Sequence, residues 1–196
     1  MAKIKPTTTE KQVSLRIDLI EMFGLPVKSA DIRQLIADDL IQKIQDRTLS
    51  GYGVDNGRTV RLKKLTKKYA DKVGKPLTPV NLELSGDMLN SITLIDSTRN
   101  WIEIGINDEK QAPKAHGHQT GQYGAGPLPK RPFMGLIDSD LTKLVPKYKK
   151  EVESAGYKKA SEFLDQQAEN VSSVGISRQD ILDALASLNK ISVEGS

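Results

Sequence analysis

Hydrophobic residues alternate near the start of the chain and then recur at helical spacing. Every second residue from Val13 to Leu19 is apolar, which is typical of a half-buried strand. Ser29 then provides a helix N-cap, and the helical pattern that follows ends at Ser50-Gly51. Between these points apolar residues follow at intervals of three and four, namely Ile32, Leu35, Ile36, Leu40 and Ile44. This spacing predicts a long amphipathic helix over residues 29–48.

A second, strongly basic helix is predicted after the turn Asp55-Asn56-Gly57. Its apolar side would carry Leu62, Leu65, Tyr69 and Val73, and Gly74 and Pro76 would end it. The predicted basic face comprises Arg58, just before the helix, and Arg61, Lys63, Lys64, Lys67, Lys68 and Lys72. Such a face suits contacts with phosphates, although no aromatic residue is interleaved with the cations to stack a base. It equally suits a solvated or intersubunit surface.

The middle of the chain has a β pattern followed by a long segment without periodicity. Ile92–Ile95 and Trp101–Ile106 are predicted strands, and the polar turn between them makes a hairpin. A one-turn helix is expected before them, at 85–89. We expect the glycine-rich segment Asn107–Pro129 to be a loop, and loops of this length are usually functional or disordered.

Helical spacing returns after Phe133 and continues towards the end of the sequence. The apolar positions are Leu141, Leu144, Val145, Tyr148 and Val152, followed by two further amphipathic stretches at 157–171 and 177–188. Pro146 predicts a kink or a restart of the helix.

Together the elements predict an α+β fold, in which a small antiparallel sheet packs against the 29–48 helix and the helix after Phe133. The expected organisation is a flexible N-terminal arm at 1–11, a core domain at 12–155 that includes the loop at 107–129, and a helical C-terminal extension at 156–196. The first strand could join this sheet or that of a neighbouring copy.

Composition excludes several classes of site. The 196 residues contain no cysteine, which excludes disulfides, thiol nucleophiles and thiolate zinc sites. The sequence has neither a membrane-spanning apolar stretch nor the apolar run of a signal peptide, so we expect a soluble protein made in a cytoplasm, with no membrane partner.

Charge is distributed unevenly along the chain. The net charge is +4, yet residues 1–80 contain 16 Lys and Arg against nine Asp and Glu, whereas residues 151–196 contain four against eight. A basic front and an acidic tail suit head-to-tail contact between copies, or contact of one end with a polyanion. Two ordinary solvated faces would give the same counts.

The two histidines, His116 and His118, are the sharpest candidates for chemistry. In an extended segment residues i and i+2 point the same way, so both imidazoles could hold one metal ion of a hydrolase. No third ligand lies at a suitable spacing, and roles in the loop or in subunit contacts are the alternative. We predict no catalytic, metal or cofactor site.

The most specific local string is Leu128–Gly135, which we call the latch. Its prolines Pro129 and Pro132 enforce an extended course, and Pro132 also keeps Arg131 out of the helical region. Phe133 can anchor the segment in the core, and Gly135 permits a sharp turn into the next helix. This pattern indicates an architectural role.

The latch also carries a family resemblance. Pro129-x-Arg131-Pro132-Phe133-Met134-Gly135 resembles the Pro-x-Arg-Pro-Phe-Leu-Gly string of the virion-morphogenesis proteins of tailed phages, also called tail-completion or neck proteins.

Three further strings resemble segments of the same family, in the same order. Pro76-Leu77-Thr78-Pro79 resembles its Pro-Leu-Ser-Pro segment, and Leu84–Ile92 resembles its Thr-Gly-x-Leu-x-x-Ser-Ile segment. Ala115 with His118-Gln119-Thr120-Gly121 resembles its Ala-x-x-His-Gln-x-Gly loop. The likeness covers about residues 29–150 and does not extend to 151–196.

The resemblance implies a non-enzymatic structural protein of the virion, located at the neck or proximal tail after assembly in the host cytoplasm. Family members form homo-oligomeric rings, often hexamers, that help to join the tail to the capsid connector. The implied partners are further copies, adjacent head-connector and tail proteins, and the packaged DNA that passes through. We expect the 107–129 loop to contact neighbouring copies, through residues such as His116, His118, Gln119 and Gly121. A basic nucleic-acid-binding protein that uses the Arg58–Lys72 face is the alternative.

Overall fold

The architecture is a four-stranded antiparallel sheet with helices packed on one face. The computed structural model describes residues 4–65, 67–74, 82, 86–123, 126–127 and 129–155. The sheet and helices confirm the predicted α+β class. The extension at 156–196 and the Pro76–Pro79 string lie outside the described residues.

The strands of the sheet are β1 (Ile4–Thr8), β2 (Val13–Asp18), β5 (Thr93–Ser97) and β6 (Trp101–Ile106). Their order across the sheet is β1-β2-β6-β5, and every neighbouring pair is antiparallel. The alternation of β2 places Val13, Leu15 and Ile17 directly opposite Ile106, Ile104 and Ile102 of β6. All six side chains are buried, so these two central strands form the floor of the hydrophobic core.

The helix α2 (Ala30–Leu49) covers this floor. Its N-terminus is capped as predicted, because Ser29 Oγ accepts a hydrogen bond from the Ile32 N–H at 3.3 Å. Ile36, Leu40 and Ile44 are fully buried. Leu35 is instead 53% exposed, so the buried stripe is narrower than the spacing predicted.

The remaining helices are short or complete the core at its margins. They are α1 (Leu19–Phe23), α3 (Lys67–Val73), α4 (Asp87–Asn90), α5 (Ala112–Thr120), α6 (Asp138–Thr142) and α7 (residues 144–155). The predicted restart near Pro146 corresponds to the break at Lys143, between α6 and α7. Leu144, Tyr148 and Val152 of α7 are buried against the core, as their spacing predicts.

The N-terminal arm is a strand, so the expectation of flexibility is wrong for Ile4–Thr8. All five residues pair with β2, and Ile4 packs against the core. The Lys, Thr and Pro composition suggests fraying, but pairing with a neighbouring strand outweighs that local tendency. Pro6 is tolerated because β1 lies at the edge of the sheet.

The predicted basic helix is wrong over its first half. Residues on both sides of the Asn56-Gly57 turn form a hairpin of β3 (Tyr52–Asp55) and β4 (Arg58–Arg61). The helix α3 begins only at Lys67. Leu62 is buried outside any helix, while the side chains of Tyr69 and Val73 lie outside the described part of the structure.

The segment Asn107–Pro129 is not the expected loop, because it contains α5 and two-residue strands β7 (Gln122–Tyr123) and β8 (Gly126–Pro127). Pro113 is compatible with the first turn of α5, where the proline nitrogen needs no hydrogen-bond partner. Gly121 ends the helix in the left-handed conformation at φ 83°, and its N–H donates to Gly117 O. Ala112 and Ala115 of α5 are fully buried in the core.

Candidate functional site: the latch and the hairpin

The latch lies between the β3–β4 hairpin and α5 and is bonded to both. The Val54 N–H of β3 donates to Pro132 O at 2.8 Å, and the Arg131 N–H donates to His118 O of α5 at 2.7 Å. Phe133 is fully buried in the core. Pro129, at the start of the latch, is half-buried. The backbone of the latch therefore joins two elements that are distant in sequence.

Arg131 fixes the segment that follows the hairpin. Its side chain is buried, and Nε donates to Lys63 O at 2.8 Å while a terminal nitrogen donates to Lys64 O at 3.0 Å. The planar guanidinium presents its N–H groups as a rigid fork, which suits two consecutive carbonyls. Arg131 thus holds the backbone of residues 63 and 64, whose own side chains are exposed.

Gln119 of α5 fastens the other side of the latch. Its Nε2 donates to Met134 O at 3.0 Å, and its Oε1 accepts from the Met134 N–H at 3.2 Å. Met134 is buried, so a single side chain satisfies both of its backbone polar groups.

Two glycines allow the hairpin and the latch to approach closely. A Cβ at Gly53 would overlap Pro132 O, and a Cβ at Gly135 would lie 2.7 Å from the Cβ of Val54. Because β3 and the latch are in backbone contact here, neither position has room for a side chain.

The end of the latch is attached to α2. Arg47 donates to Gly135 O and, from its other terminal nitrogen, to Asp140 Oδ2 at 2.8 Å. Asp140 Oδ2 also accepts from the Ile137 N–H at 3.0 Å, at the start of α6. The Arg47 and Asp140 side chains are largely buried. The latch therefore leads into α6 through a defined ionic contact.

The two histidines do not point the same way. Both lie in α5, where residues two apart are about 200° apart around the helix axis. The prediction that His116 and His118 lie in an extended segment, as a two-histidine metal site would require, is therefore wrong. Among the described residues, no cluster of three or more histidine and acidic side chains could hold a metal ion.

His118 is a partly buried residue whose surroundings favour the neutral imidazole. Burial, and secondarily the charge of Arg131, lowers its pKa from 6.5 to about 4. Its Nδ1 is buried and has no hydrogen-bond partner among the residues that the structure describes. His116 is half-buried, and its backbone oxygen accepts a hydrogen bond from Thr120 Oγ1 at 2.8 Å. His118 therefore contributes packing and a backbone acceptor for the latch.

The predicted basic residues are spread over the hairpin, the following segment and α3. Six of them have exposed side chains: Arg58, Arg61, Lys63, Lys64, Lys67 and Lys72. Lys68 lies in α3, but its side chain is outside the described part. The structure adds exposed Lys130 of the latch, whose Nζ is 3.0 Å from Asp55 Oδ1 of β3. The basic residues therefore extend from the hairpin through the following segment to α3 and do not line one helix.

A buried carboxylate on the other face of the sheet was not singled out by sequence reasoning. Glu103 accepts from Ser14 Oγ at 2.6 Å, Gln12 Nε2 at 2.7 Å and a terminal nitrogen of Arg16 at 2.8 Å. The Arg16 guanidinium also lies 4.1 Å above the centre of the Trp101 ring. Burial raises the pKa of Glu103, but these hydrogen bonds and the charge of Arg16 outweigh burial and hold the pKa below its usual value. The sequence contained an indication of this cluster, because Ser14, Arg16 and Glu103 are polar positions of two strands in which apolar residues alternate.

Within the described part of the chain, no helix is long and apolar enough to cross a membrane. Comparisons with protein-family models, curated proteins and solved structures gave no match to this chain. The family likeness therefore rests on the four sequence strings alone.

Proposed function

We propose that this protein is a structural subunit of a tailed-phage neck or proximal tail, and that it forms a homo-oligomeric ring at the head–tail junction. The observation that carries the proposal is the order of the four strings that resemble virion-morphogenesis proteins. Its partners in this role are other copies of the chain and the adjacent head-connector and tail proteins.

The contacts between the strings support this proposal. The latch and the string from Ala115 to Gly121 are 15 residues apart at Gln119 and Met134, yet they bond through two side-chain hydrogen bonds. In the string Leu84–Ile92, the side chains of Met88, Leu89 and Ile92 are buried in the core. The side chains that carry the resemblance thus hold backbone segments together, which is an architectural role and suits a structural subunit.

The charge distribution supports contact between copies. The excess of cations in residues 1–80 and of acids in 151–196 gives the two ends of one chain net charges of opposite sign. Contact between unlike ends of two copies is heterologous, and a heterologous contact that closes on itself produces a ring.

The test is the mass of the purified full-length protein, measured by light scattering across a range of concentrations and combined with electron micrographs. A hexamer of the 21.6 kDa chain would have a mass of about 130 kDa, and micrographs would show rings. We expect these species to become more abundant with concentration. A monomer at every concentration, with no rings in the micrographs, would contradict the proposal.

A further inference from the structure

The hairpin region concentrates positive charge with little compensation. Residues 52–72, the hairpin and the segment after it, contain seven Lys and Arg and two acids, Asp55 and Asp71. None of the six exposed cations named above forms an ion pair with another described residue, whereas Lys130 is paired with Asp55. Unpaired like charges on a small element repel one another, and a polyanion relieves that repulsion.

The register of the hairpin places cations on both of its faces. Arg58 lies opposite Asp55, and Arg61 lies opposite Tyr52. Because side chains alternate along a strand, Arg58 and Arg61, three residues apart, point to opposite faces. The tip between the strands is the small turn Asn56-Gly57, with Asn56 at φ 51° and Gly57 at φ 72°.

This arrangement suits a groove with anionic walls better than a single flexible strand. The major groove of duplex DNA is about 12 Å wide and admits a two-stranded β-ribbon between its phosphate backbones. Binding of single strands instead combines cations with a series of aromatic stacking platforms. Tyr52 is the one aromatic residue of the hairpin and is 42% exposed.

The latch holds the base of the hairpin in place. Arg131 bonds the carbonyls of Lys63 and Lys64, so the backbone that carries these two exposed lysines is fixed. Val54 of β3 is bonded to Pro132 O. Anchored cations lose less conformational freedom on binding than those of a mobile arm.

We infer that the six exposed cations of the β3–β4 hairpin, of residues 63–64 and of α3 form a binding surface for the phosphate backbone of duplex DNA, without readout of base sequence. The surface does not depend on the ring proposed above, since every residue that carries it belongs to one copy.

The experiment is fluorescence anisotropy of the full-length protein with a labelled duplex of about 30 base pairs, titrated at several salt concentrations from about 50 mM upwards. Two double variants are compared, each losing two positive charges: R58Q with R61Q in the hairpin, and K28Q with K110Q at exposed positions in connecting segments outside the hairpin. Each lost phosphate contact lowers the steepness of log K against log salt by about 0.9. We expect the hairpin variant to lose about 2 in slope and the K28Q/K110Q control to keep the original slope.

Several outcomes would overturn the inference. These are no duplex binding at the lowest salt concentration, an equal loss of slope in both double variants, tighter binding of a single strand of the same length, or tighter binding of polyglutamate. The last result would assign the surface to an acidic protein partner. Circular dichroism of both variants verifies that they remain folded.

Discussion

Gln119 and Met134 exchange two hydrogen bonds, one in each direction between the side-chain amide of Gln119 and the backbone of Met134. The Gln119 side chain makes the pair of hydrogen bonds that a neighbouring strand would make. It satisfies the backbone N–H and C=O of Met134, a buried residue outside any helix or strand. One amide thus connects α5 to the latch.

Replacing Gln119 by alanine should destabilise the protein by about 1–3 kcal/mol, because the Met134 N–H and C=O would be buried without partners. Urea unfolding followed by circular dichroism measures this change. The matched control is Q34A in α2, which removes an exposed glutamine that donates to Asp38 Oδ1 at 2.8 Å. We expect Q34A to change stability by less than about 0.5 kcal/mol. Equal effects of the two variants would contradict the role assigned to Gln119.

Replacing Arg131 by methionine should cost about 2–3 kcal/mol, because two carbonyls would lose a charged donor. R131K should also be destabilised, since a lysine ammonium cannot reproduce the guanidinium fork. The control is K130M, which removes a half-exposed ion pair with Asp55 and should cost at most about 1 kcal/mol. Thermal unfolding of the three variants provides the comparison. A wild-type melting temperature for R131K would contradict the role assigned to the guanidinium fork of Arg131.

A methyl group at Gly53 should be far more damaging than one at Gly57. Gly53 has no room because of Pro132 O, whereas nothing lies within 4 Å of a Cβ at Gly57. At Gly57 the cost is the left-handed φ of 72°, about 1 kcal/mol for alanine. We expect G53A to reduce stability by several times that amount or to prevent folding, as measured by soluble yield and urea unfolding. Equal stabilities of G53A and G57A would show that the latch is not packed against β3.

His118 should make the protein less stable as the pH falls from about 6.5 to about 4. In the unfolded chain its pKa is 6.5, whereas burial and the charge of Arg131 lower the pKa in the folded state to about 4. Between these values only the unfolded state binds the proton, so protonation favours unfolding, and the His118 contribution levels off below pH 4. The largest loss from this group would be about 3 kcal/mol.

The measurement is the free energy of unfolding against pH for the wild type, H118Q and H116Q. Glu103 and Asp39 also have lowered pKa values, and their contributions are lost at the acidic end, so the difference between curves isolates the histidine. We expect H118Q to be less steep than the wild type between pH 6.5 and 4. H116Q should keep the pH dependence of the free energy of unfolding that His118 causes. A wild-type slope in H118Q would refute the neutral state of His118 in the folded protein.

Elements with a long regular pattern were predictable. The strand at Val13, the strand Trp101–Ile106 and the helix capped by Ser29 all appear where their periodicity placed them. In each of them the apolar side chains repeat often enough to define one buried face, so local pattern and tertiary packing agree.

The errors fall where a local pattern was short or misleading. The hairpin β3–β4 was missed because the lysine run after it favoured a helix, although Asn56-Gly57 between β-forming residues is a strong hairpin signal. The helix α5 was missed because of its glycine and histidines. Pro113 near its start and Gly121 after its end are nevertheless the usual asymmetry of helix termini.

Sequence alone determined the α+β class and the apolar faces of β2, β6 and α2, because side-chain periodicity is a local property. Only the tertiary structure decided what the latch touches. Arg131 reaches the carbonyls of Lys63 and Lys64, 68 and 67 residues away in the chain, and Gln119 completes the backbone of Met134. Such contacts depend on which elements the folded core brings together, since a hydrogen bond between distant residues leaves no periodic trace in the sequence.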